Sequence, residues 1–63
     1  MAEKLVKYYE LIEATAGPTA KMRMAMITVV PSMIAARTPD TAENIAKFRK
    51  AFKDITGKDP PPV

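Results

Sequence analysis

Two stretches of the chain show a clear helical alternation of apolar and polar positions, and a third is apolar almost throughout. In the first, Leu5, Tyr9, Ile12 and Ala16 recur at the spacing of one helical face, with Val6 and Leu11 widening it. This predicts a helix over residues 2–16. In the last, Thr41, Ile45, Phe48, Phe52 and Ile55 form a second seam, predicting a helix over 39–56. Between them, Met22, Met26, Val29, Met33 and Ala36 keep a 4-3-4-3 spacing, the signature of a packed seam in a helix over 20–36.

The middle helix is the unusual one. No charged residue lies between Met24 and Ala36, and its far side carries only Met24, Ala25, Thr28, Ser32 and Ala35. A helix without a charged face is normally buried on most sides. A monomeric three-helix domain cannot bury one helix all round. The expectation is therefore an all-α fold, a three-helix bundle or a helical hairpin plus a third helix, assembling as an oligomer through helix 2. Pro31 removes a backbone hydrogen bond inside this helix and clashes with the carbonyl of Ile27, which predicts a kink. The β-branched Ile27–Val30 run offers a strand ending at Pro31 as the alternative, but no second strand candidate exists to pair with it.

Turn signals divide the chain. Gly17-Pro18 closes the first helix, with Gly17 in the left-handed conformation and Pro18 barring continuation. Thr38 and Pro39 end the second helix and start the third, with Thr38 as N-cap and an Asp40/Glu43 capping box competing. Gly57 closes the third. The single domain then covers residues 1–57, and 58–63 reads as an extended, disordered proline tail.

Charges add local detail. Glu3–Lys7 and Glu43–Lys47 are favourable i,i+4 pairs. Glu10 and Glu13 end the first helix and Lys21 and Arg23 begin the second, each on the wrong end of a helix dipole. The intervening turn should let the two pairs neutralise each other.

Composition narrows the function classes. With 63 residues the chain is one small domain, marginal by itself without a disulfide, a metal or a partner. It has no cysteine and no histidine, so no Ser–His or Cys–His nucleophile and no thiolate or imidazole metal site can form. The two glycines stand far apart, so there is no phosphate-cradling loop. An enzyme is not expected, nor a cofactor or a metal. Absence of cysteine suits a reducing, cytoplasmic setting. The uncharged run is shorter than the roughly 20 residues of a membrane span.

These readings favour a small non-catalytic protein–protein interaction module, an adaptor, regulatory or assembly subunit, acting through the Met-rich helix 2. The partner is expected to be protein, in the first place further copies of the chain. Candidate contacts are the face opposite the seam, Met24, Ala25, Thr28, Ser32 and Ala35, together with Tyr8, since adjacent Tyr8 and Tyr9 should not both point inward. A nucleic-acid-binding protein using Lys47, Arg49, Lys50 and Lys53 is the alternative. Interleaved acids and the lack of base-reading side chains at the start of helix 3 weigh against it. Peripheral membrane attachment through helix 2 is the second alternative. It lacks the strongly charged opposite face such helices need.

Overall fold

The computed structural model describes residues 3–62 and is helical, with no strand among the described residues. Helix α1 spans Glu3–Ala16, α2 spans Pro18–Thr28, a 3-10 helix spans Ser32–Arg37, and α3 spans Ala42–Thr56. The predicted first residue of α1, Ala2, lies outside the described residues. The three α-helices pack against one another pairwise, and the 3-10 helix packs mainly on α1.

The turn chemistry explains most boundaries. Gly17 adopts φ 89° and donates its N–H to the Glu13 carbonyl at 2.9 Å, closing α1. The same residue precedes Pro18, which occupies the first turn of α2 where its missing N–H costs nothing. Gly57, at φ 75°, closes α3 with a 2.7 Å bond from its N–H to the Lys53 carbonyl.

The expected continuous helix 2 is broken, not kinked. α2 stops at Thr28, Val29 enters the left-handed region at φ 58° and ψ 23°, and Pro31 is extended at φ −58° and ψ 145°. Pro31 forces this: its ring excludes the Ile27 carbonyl position, and Val30 before it is pushed out of the α region. The chain resumes as a 3-10 helix whose one buried residue is Ala35.

The caps of α3 also differ from expectation. Thr41 is the N-cap, its hydroxyl accepting the Asn44 N–H at 3.2 Å, while the Asn44 side-chain amide donates to the Pro39 carbonyl at 3.0 Å. Thr38 is unavailable because its hydroxyl donates to the Ile34 carbonyl at 3.2 Å and its N–H to that of Ala35 at 3.1 Å. Asp40 is drawn away to α1, accepting the Lys4 backbone N–H at 3.2 Å. A carboxylate there meets a free N–H and the positive end of the helix dipole.

The core is centred on Phe48 of α3. Tyr9 meets its ring edge-on, at 5.2 Å between centroids and 89°, and Tyr8 lies tilted against it at 6.1 Å. Leu5, Ile12, Met24, Ala35 and Ala51 are fully enclosed around them. Both tyrosines are buried, contrary to the expectation that one must face water. Residues 5, 8, 9 and 12 span a face wide enough for both, and each hydroxyl finds a partner. Of the seam residues of the first and last helices, Leu5, Tyr9, Ile12, Phe48 and Phe52 are buried, Ile45 and Ile55 are half-buried, and Ala16 and Thr41 are exposed.

Among the described residues the ion pairs are Glu13–Lys21 at 3.5 Å, Glu43–Lys47 at 3.5 Å and Lys53–Asp59 at 3.6 Å. The first joins α1 to α2 across the Gly17-Pro18 turn, as the charge placement predicts, though through one pair only. Glu3–Lys7 is not among them. In the proline tail Pro60 is buried, Pro61 and Pro62 lie beside Lys7, Leu11 and Ala14 of α1, and Val63 lies outside the described residues.

Candidate interaction face

The helix 2 seam points the opposite way from the sequence expectation. Met22, Met26, Val29 and Met33 are 69, 77, 83 and 87% exposed. The side of α2 that enters the core is Ala20, Met24 and Thr28, with Ala25 half-buried. Two causes act together. From Met24 to its end α2 carries no charged residue, so periodicity alone gives that part no preferred face. The break at Thr28 then removes Val29 and Met33 from the register that the 4-3-4-3 spacing assumes.

Small residues let α2 approach α1 and α3 closely, and Thr28 can be buried because its hydroxyl is fully used. It donates to the Met24 carbonyl at 2.7 Å and lies 3.4 Å from the Tyr9 hydroxyl. Since the single threonine proton goes to Met24, Tyr9 is the donor of the second bond. Burial pushes the Tyr9 phenol above its usual 10.0, and the Thr28 hydroxyl offsets part of that rise.

The candidate contact residues therefore separate. Tyr8, Met24, Thr28 and Ala35 belong to the core, and the folded chain does not offer them to a partner. Ser32 is exposed and Ala25 is half-buried, and both line a groove between α2 and the 3-10 helix. That groove, about 310 Å³, is bounded by Met22 and Met33 as well. On the other flank of α2, a second groove of about 310 Å³ brings Ile27 and Val29 beside Lys47, Lys50 and Asp54 of α3. The outward surface is thus an apolar ridge of Met22, Met26 and Val29, with a groove on either side, together with Met33, which lines the first groove. Ile27 and Ile34 add partly exposed apolar area, at 47 and 42%.

The basic residues of α3 are largely engaged within the chain. Lys47 pairs with Glu43, Lys53 with Asp59, and the Arg49 guanidinium donates to the Tyr8 hydroxyl at 3.4 Å. Lys50 shares its groove with Asp54.

Among the described residues no three His, Cys, Asp or Glu side chains come together in a way that could hold a metal ion. No helix among them is long and apolar enough to cross a membrane.

The exposed ridge could be missed from sequence because the apolar spacing that defines it is also the spacing of a core seam. The one local signal is Val30-Pro31: proline pushes the residue before it out of the α region, so the helix must stop ahead of it. Comparison of the chain with protein-family models, with curated proteins and with solved structures finds no match.

Proposed function

We propose that the chain is a non-catalytic protein–protein interaction module whose contact surface is the outward ridge of α2, and that its first partner is a second copy of itself. The observation that carries this reading is the exposure of Met22, Met26, Val29 and Met33, with Met22 and Met33 lining one groove between α2 and the 3-10 helix. Six large apolar side chains, counting Ile27 and Ile34, stand partly or largely in water. At about 100 Å² each they offer on the order of 600 Å², the upper end of what monomers expose and most of the roughly 800 Å² per partner of a standard interface. Methionine suits such a surface because its flexible thioether chain adapts to a partner's shape.

Charge placement supports self-pairing. The ridge side chains are uncharged, Lys21 and Lys47 beside them pair with Glu13 and Glu43, Lys50 shares its groove with Asp54, and Arg23 lines a separate groove with Ala16 and Ile55. Two copies can therefore meet without like charges facing each other at the centre.

Met26→Lys tests the reading. Met26 is 77% exposed, so the helical fold is expected to survive while self-association is lost. Unchanged association of a folded Met26→Lys chain would overturn it. Met24→Lys is the contrasting variant. It places a charge in the core and should unfold the chain.

A further inference from the structure

We propose that Met22, Met26 and Met33 form a peroxide-sensitive modification site that disassembles the protein without unfolding it, an inference that rests on the interaction reading above. The chain segregates its sulfur. Met22, Met26 and Met33 are 69, 77 and 87% exposed, whereas Met24, two residues from both Met22 and Met26, is 0% exposed. Among the described residues every methionine of the outward ridge is thus open to a soluble oxidant, and the one methionine of the core is closed to it.

The reaction needs a hydroperoxide and nothing else. The thioether sulfur attacks the peroxide oxygen, the O–O bond breaks, an S–O bond forms, and water leaves. Sulfur is oxidised by two electrons and the peroxide is reduced. The product is a polar, chiral sulfoxide in place of a flexible apolar side chain. On this ridge the change removes three of the four most exposed apolar groups. In the core it changes nothing, because Met24 is out of reach while the domain stays folded. Association covers the same sulfurs, so peroxide acts on the free chain, and oxidation slows as protein concentration rises.

The test treats the full chain with hydrogen peroxide and maps each methionine by peptide mass, with helicity and molar mass followed in parallel. Met22, Met26 and Met33 are expected to gain one oxygen at least ~10-fold faster than Met24, with helicity retained and self-association lost. The Met22→Leu, Met26→Leu, Met33→Leu triple variant keeps an apolar ridge, and its association should be indifferent to peroxide. Oxidation of Met24 at a comparable rate, or loss of helicity in step with the first oxygen added, overturns the proposal. An assembly that survives complete oxidation of the three ridge methionines overturns the switch alone. A chain that is monomeric before any peroxide is added overturns the interaction reading and the switch with it.

Discussion

The hydroxyl of Tyr9 lies 3.4 Å from that of Thr28, joining α1 to the last residue of α2 inside the core. Thr28 spends its proton on the Met24 carbonyl, so the bond requires Tyr9 to stay protonated. Burial raises the Tyr9 phenol above 10.0 in the folded chain. In the unfolded chain it titrates at about 10. Above that pH the unfolded state loses a proton that the folded state keeps, and stability falls as pH rises. The Tyr9 contribution is thus fully present below about pH 10 and is lost as pH climbs through the folded value. Denaturant midpoints from pH 8 to 11 should drop more steeply for the natural chain than for Tyr9→Phe. Parallel curves would contradict this.

Val29 is the only non-glycine with positive φ among the described residues, and nothing packs over its side chain. Holding an L-residue there costs about 1–2 kcal/mol. Val29→Gly relieves that strain and returns about 0.5–1 kcal/mol through the greater freedom of the unfolded chain. A net gain of about 0.5–1 kcal/mol in unfolding free energy is expected, measurable by urea titration. The same substitution deletes part of the ridge, so association should weaken while stability rises.

Asp40 and Lys4 connect the loop before α3 to the start of α1. Asp40→Ala leaves that N–H without its partner and removes a negative charge from the helix N-terminus. The expected cost is about 1 kcal/mol, and Asp40→Asn should recover part of it. Equal stability of Asp40→Ala and the natural chain would show that the carboxylate caps nothing in solution.

Phe48 touches both tyrosine rings, so its removal opens a cavity at the centre of the domain. Phe-to-Ala changes in cores cost about 3–5 kcal/mol. A domain of this size holds only about 3–9 kcal/mol in total. Phe48→Ala should therefore remove about half or more of the stability, seen as a much lower urea midpoint by circular dichroism; an unchanged midpoint would contradict the packing around Phe48.

What the sequence discloses differs along the chain for physical reasons. α1 and α3 are legible because Leu5, Tyr9, Ile12, Phe48 and Phe52 alternate with charged residues, so only one face can be buried. Gly17-Pro18 and Gly57 are legible because their backbone requirements are local. The orientation of α2 is not legible, since Met22 and Met26 are as apolar as Met24 and only tertiary packing chooses between them. The choice falls to Thr28, whose hydroxyl fits beside Tyr9, and to the small side of Ala20. The Asp40 cap and the docking of Pro60 join residues far apart in sequence, which no periodic pattern encodes. The exposed apolar side chains lie on the segment that the sequence singles out, but on the opposite side of it.

The central claim is that the outward ridge of α2 is a contact surface between copies. Light-scattering molar mass after size exclusion, over a tenfold range of concentration, tests it most directly. The expected result is a mass rising from that of the 6.9 kDa chain toward at least twice that value, with helicity unchanged throughout. A folded helical chain that holds the 6.9 kDa mass across the whole range would contradict it.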